Sequence, residues 1–299
     1  MLSHRRFPSS GKKTLLKLIG VLLFVWILRR VDFEALVAEL LRTDTRLFAA
    51  SFGVMIASYA VKVLRWHILS QYAGATVGLA ESWKNYNIGI FLGTITPAKV
   101  GEFGRIVHLR RAGLSMKRAV SIAILDRISD TVVILSMAPM AFLIFTEQSH
   151  TIRILTAGLF IFGTLCIVIH FALRSRRLLS WIGHITQIPV GLLASQTLLL
   201  SSLAWALYFF WAILIARSVG IDLPAPVLIA AFTVAGILSL LPIAPAGLGT
   251  RDAALLAILL PYGISTHQIV SLSILMFMSI LLGSMIGAWY FFRPNPVTL

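Results

Sequence analysis

Long apolar runs separated by short polar connections dominate this chain. A run that crosses about 30 Å of hydrocarbon needs roughly 20 residues. In those units the pattern predicts membrane helices near 14–28, 47–69, 119–146, 152–173, 195–217, 225–243 and 267–292. Two further apolar pieces, 86–96 and 252–262, are only about ten residues long, the length of re-entrant or half-spanning segments. The expected fold is all-α: a polytopic integral membrane helix bundle of about seven or eight spans with two short re-entrant or broken segments. The run Thr14–Leu28 has no small-residue cleavage site after it and continues into Arg29 and Arg30, so it reads as a first, short membrane helix rather than a removed signal. With no low-complexity tract and no long polar insertion, 1–299 reads as one membrane domain.

Composition agrees with this pattern. Hydrophobic residues make up 58% of the 299, charged residues 12%, and mean hydropathy is +0.91; soluble domains carry about 25% charge. The formal net charge of +15 is assigned to membrane edges and lipid headgroups, and no nucleic acid partner is expected. Basic residues crowd the N-terminal tail, the 97–118 connection (Lys99, Arg105, Arg110, Arg111, Lys117, Arg118) and the 174–177 connection. The positive-inside rule then puts those three, and the N-terminus, on the cytoplasmic side of a cell inner membrane. In the 29–46 loop Asp32, Glu34, Glu39 and Asp44 match the arginines, which fits the outside. Lys62 and Arg65, near the end of the second span, read as snorkelling side chains with Trp66 as an interfacial anchor. The pairs Gly89/Gly93 and Gly283/Gly287 are small-xxx-small spacings expected at close helix contacts.

The short apolar pieces end in two similar stretches. PAKVG (97–101) returns as PAGLG (245–249), each near an acid and an arginine: Glu102 and Arg105, then Arg251 and Asp252. Gly113-Leu114-Ser115 likewise returns as Gly263-Ile264-Ser265 before a long apolar run. The spacing implies an internal two-fold repeat with halves near 47–146 and 195–292, parallel or inverted. Pro97, Gly101 and Gly104 break the first half, and Pro242, Pro245, Gly247 and Gly249 the second. Non-helical backbone at membrane depth is tolerated only against protein or a watery cavity, and paired breaks point to a transporter's binding site. Lys99, Arg105 and Arg251 beside the breaks suit an anionic headgroup such as phosphate. Asp126, Arg127 and Asp130 fall in the first third of the 119–146 run, and buried charges of this kind face an interior or cavity. With Glu102 and Asp252 they are the expected charge partners of the bases, either in function or as a structural ion pair docking that helix onto 97–111.

The absences are informative too. No metal-ligand spacing of His, no P-loop and no nucleophile-elbow motif occurs; the single Cys166 allows no intrachain disulfide. No metal, no cofactor and no enzymatic activity are expected. PAKVGEFGR with HLRR (108–111), Asp126-Arg127-x-x-Asp130 and PAGLGTRDAA (245–254), in that order, resemble the flippase-like membrane domain of lysylphosphatidylglycerol synthases. The family often has Glu where this chain has Asp126 and Asp252, which leaves the charge unchanged. The soluble aminoacyl-transferase domain of the full-length synthases is not expected here, because the sequence stops seven residues after Phe292. The resemblance therefore implies lipid handling without lysylation. Three functions stay open: a flippase or binding protein for an anionic phospholipid or polyprenyl-phosphate-linked lipid, a non-transporting accessory subunit of a membrane glycosyltransferase or lipid-modifying enzyme, and an integral membrane transferase using Asp126 or Glu102 as base. In the first, neutralising Arg105 or Arg251 stops lipid movement while the protein stays folded.

Overall fold

A computed structural model describes residues 32–145, 158, 190–239 and 249–293. The expected spans 14–28 and 152–173, Cys166, Pro242, Pro245 and Gly247 lie outside those residues. Every regular element among the described residues is helical. The chain begins with α1 (Phe33–Leu41) and α2 (Thr45–Tyr72), each capped by an aspartate. Asp32 Oδ1 accepts from the Glu34 and Ala35 amides, and Asp44 Oδ1 from those of Arg46 and Leu47 at 2.8 and 3.1 Å. These carboxylates satisfy orphan N–H groups at the helix starts, a local role that charge counting along the loop does not resolve. Asp44→Ala is expected to cost about 1 kcal/mol, measured as a lower thermal midpoint of the detergent-solubilised protein.

α3 (Leu79–Ile95) ends at Thr96, and the chain reverses into a 3-10 segment (Pro97–Gly104) and α4 (Arg105–Arg111). The return leg lies antiparallel against α3: a Cβ on Gly101 would meet Leu92, one on Gly93 would meet Glu102, and one on Gly89 would meet Arg105. The small-xxx-small pair on α3 thus makes room for charged side chains. Thr96 closes the tip, its Oγ1 accepting from the Gly101 amide at 2.8 Å. α5 (Met116–Ser136) and α6 (Ala138–Phe145) follow as one rod interrupted at Met137, because Pro139 has no N–H to bond one turn back and its ring crowds that carbonyl. Then come α7 (Val190–Ser218), α8 (Ala225–Leu238), α9 (Thr250–Leu259), a 3-10 turn Leu260–Tyr262, and α10 (Thr266–Phe292).

Thr45–Tyr72, Met116–Phe145, Leu192–Ser218 and Thr266–Phe292 are long and apolar enough to cross a membrane. The run expected to cross at 225–243 is different: α8 has 14 residues, about 21 Å at 1.5 Å per residue. Protein surrounds it, with Leu228, Ala230, Ala231, Phe232 and Val234 almost inaccessible.

The described elements include two runs of the same order, long helix, short helix, short helix, long helix: α2–α3–α4–α5 and α7–α8–α9–α10. The punctuation matches as well. Gly74 and Gly220, after the first long helices, have φ of +90° and +71°; Gly113 and Gly263, before the last, have +91° and +76°. Glycine adopts this left-handed conformation without a Cβ penalty. Ser115 and Ser265 then cap α5 and α10, accepting from the amides of Arg118 and Gln268. The first helices of the two runs, α2 and α7, lie antiparallel: Asp44 N donates to Ser218 O, Ser58 Oγ to Ala204 O, and Tyr72 Oη to Gln196 Oε1. Both ends of the first hairpin (79–111) lie at the end of α2, where Arg118 reaches Ala73 O at 3.5 Å. The second half (225–259) begins and ends at the opposite end, where Gln268 reaches the carbonyls of Val219 and Gly220.

Candidate functional site: a charged cavity between the halves

Aspartates four residues apart share a helix face, and on α5 that face meets α2. Arg65, with no exposed surface, donates to both: Nε to Asp126 Oδ1 at 2.9 Å and Nη2 to Asp130 Oδ2 at 2.9 Å, with Nη1 also on Asp130. Its Nη1 reaches Ser201 Oγ on α7 at 2.5 Å, so one guanidinium joins three helices. Trp205 Nε1 of α7 adds a bond to Asp130 O at 3.0 Å. The snorkelling assignment of Arg65 is thereby corrected: the side chain turns into the bundle, where two carboxylates neutralise it. Trp66 is corrected with it, being 2% exposed and packed 4.7 Å from the Arg105 guanidinium rather than at an interface.

Arg105 occupies the space left by Gly89. Its Nη1 donates to Asp126 Oδ2 at 3.2 Å, Nη2 to Glu102 Oε2 at 3.0 Å, and Nε to the Glu102 carbonyl at 3.0 Å. The Tyr86 ring centroid is 4.3 Å from its Cζ, in the cation–π range. Glu102 also pairs with Arg127, on the side of α5 turned away from Asp126. Both Asp126 and Arg127 thus tie α5 to the 97–111 return leg. In the second half Arg251, 3% exposed, donates to Asp252 Oδ1 at 3.1 Å and to Ser273 O at 3.0 Å. Asp252 Oδ2 accepts from the Gly249 amide at 2.9 Å. Gly249 has φ +83°, so this break needs glycine to bring that amide onto the carboxylate.

These networks wall a cavity of about 360 Å³, within the usual range for small-molecule sites. Lys62, Lys99, Glu102, Arg127, Asp130 and Arg251 reach it. Of the three bases expected to hold a headgroup, Lys99 and Arg251 border the cavity and Arg105 does not; its donors are already taken by carboxylates and a carbonyl. Lys62 replaces it, facing the cavity instead of the headgroup plane. Lys99 has φ +54°, a left-handed backbone that is uncommon for a side-chain-bearing residue and clusters at functional sites. No group of His, Cys, Asp and Glu able to hold a metal occurs among the described residues.

Sequence reasoning missed Arg65 and Lys62. The available signal was depth: Arg65 lies seven residues before the end of α2 at Tyr72, about 10 Å along the axis, which is deep for a snorkelling arginine.

The sequence matches the profile of the lysylphosphatidylglycerol synthase TM region over residues 15–287. The chain belongs to that family. As a member of the lysylphosphatidylglycerol synthase TM region family it is a multi-pass membrane protein, in accord with the four long apolar helices. It is also similar to the UPF0104 membrane protein PH1989 of Pyrococcus horikoshii, with 27% identity over 136 residues, 44% of this chain and 41% of that protein. The chain thus spans less than half the length of this relative in the match. Of the charged residues that carry the resemblance, Lys99, Glu102, Arg127, Asp130 and Arg251 border the cavity, and Arg105, Asp126 and Asp252 are ion-paired to these or to one another.

Proposed function

We propose that the protein is a lipid translocase of the cell inner membrane that draws the anionic headgroup of a phospholipid or polyprenyl-phosphate-linked lipid into this cavity. The observation that carries the reading is a pair of lysines. Lys62 and Lys99 border the cavity, and neither has a carboxylate within ion-pair distance among the described residues. A cation at membrane depth costs about 2.5–3.5 kcal/mol on insertion scales, and an anionic ligand offsets that cost.

We read the two runs α2–α5 and α7–α10 as an inverted repeat, which supports the same proposal, since transporters place substrate sites where two such repeats meet at broken helices. Hairpin 79–111 and its counterpart 225–259 then re-enter the membrane from opposite sides and meet at the site. Arg110, Arg111, Lys117 and Arg118 are exposed at the end where the first hairpin opens, which supports a cytoplasmic orientation of that end. The reaction is movement without chemistry, so the protein is read as non-enzymatic. Arg65, Arg105 and Asp126 act as positioning residues that hold the wall, while Lys62, Lys99 and Arg251 face the headgroup.

The test is scrambling of fluorescent phosphatidylglycerol and a fluorescent polyprenyl phosphate in liposomes holding the purified protein, read with an external quencher. The variant carrying Lys62→Gln and Lys99→Gln is expected to lower the scrambling rate at least tenfold with an unchanged thermal midpoint. Removing cations that lack partners leaves no carboxylate stranded, which makes these substitutions cleaner probes than Arg105→Ala or Arg251→Ala. Absence of movement of either probe by the unaltered protein would overturn the translocase reading in favour of an accessory subunit of a membrane glycosyltransferase or lipid-modifying enzyme, to be sought by pull-down.

A further inference from the structure

The charges around the cavity do not balance. Lys62, Arg65, Lys99, Arg105, Arg127 and Arg251 are the bases of the connected wall, and Glu102, Asp126, Asp130 and Asp252 the acids. Six against four leaves two positive charges among the described residues. The stretch 240–248, which precedes Gly249, carries no ionisable side chain to change that. Arg65, Arg105, Arg127 and Arg251 all have carboxylate partners, so the excess is localised on Lys62 and Lys99.

Building on the translocase reading, we propose that the headgroup is a terminal phosphate, a phosphomonoester, held by Lys62 and Lys99. The physical reason is charge. A phosphomonoester carries about −1.5 to −2 at pH 7 and presents three acceptor oxygens, matching an excess of two charges on two ammonium groups. A phosphodiester carries a single charge and two non-bridging oxygens, and leaves one cation uncompensated in a site where charge is expensive.

The experiment titrates the detergent-solubilised full chain with dioctanoyl phosphatidic acid, a monoester, and dioctanoyl phosphatidylglycerol, a diester, following indole fluorescence. At pH 8 the monoester is expected to bind at least tenfold more tightly. The preference should shrink below pH about 6, where the phosphate takes up its second proton. Lys62→Gln and Lys99→Gln are each expected to cut the preference below threefold, and Lys62→Arg, which keeps the charge, to retain most of it. If the glutamine variants fail to fold, the monoester preference of the unaltered protein and its loss below pH about 6 carry the test. Equal affinity for the two lipids would sink the phosphomonoester assignment and leave an anionic-lipid protein; binding of neither lipid would sink the lipid reading as well. Glycerol 3-phosphate is the third arm. Affinity equal to that of phosphatidic acid would make the site one for soluble phosphate and overturn a lipid source.

Discussion

Arg65→Ala is expected to destabilise the folded protein by about 3–5 kcal/mol, the cost of removing one partner from a buried ion pair. The substitution leaves Asp130, 19% exposed, without an ion-pair partner among the described residues and Asp126, 1% exposed, with Arg105 alone, and it removes the only side-chain bond by which Ser201 joins α7 to this cluster among the described residues. Arg65→Lys should recover little of the loss, since an ammonium cannot reproduce the fork that reaches both carboxylates. Asp126→Asn should be at least as damaging, because Asp126 serves Arg65 and Arg105 together. Thermal unfolding of the purified variants in detergent checks all three. A midpoint for Arg65→Ala within a degree of the unaltered protein would show that the cluster does not hold the helices together.

The second large effect is expected from Gly287→Ala. A Cβ on Gly287 would lie 1.9 Å from Asn87 O and 2.6 Å from its carbonyl carbon. Those are backbone atoms of α3, so relief requires the two helices to move apart, and overpacking of this kind costs about 1–3 kcal/mol or more. Gly283→Ala is the control: its Cβ would first meet the Met55 Cε at 2.5 Å, the end of a flexible side chain that can swing away. Gly287→Ala should therefore lower the thermal midpoint clearly more than Gly283→Ala. Separation of α10 from α3 should also release the Phe91 contacts with Phe291 and Phe292, whose centroids lie at 5.8 and 6.0 Å, and raise protease sensitivity near residue 290. Similar midpoints for the two variants would show that the interface has slack.

Much of this architecture was legible along the chain. Runs of apolar residues are read by lipid as they stand, because hydrocarbon rewards each residue nearly independently, so the long helices at 45–72, 116–145, 192–218 and 266–292 fell where the pattern put them. The glycine-serine signals at 113–115 and 263–265 are local conformational requirements, and both appear as left-handed glycines followed by serine caps. The relative direction of the two similar runs was not legible: too few charges flank the second one to orient it, and only the tertiary structure sets α2 antiparallel to α7.

The charged residues divide in the same way. Sequence alone determined that Glu102, Arg105, Asp126, Asp130, Arg251 and Asp252 would need partners or water, because a lone charge in apolar surroundings is too costly to leave unpaired. Which partner each one takes depends on neighbours distant in the chain. Arg65 meets Asp126 across 61 positions and Ser201 across 136, separations that no local pattern encodes. Tertiary structure therefore decided that Arg105 is consumed in the wall and that Lys62 and Lys99 face the cavity: charge neutralisation inside a bundle is settled by which helices lie side by side.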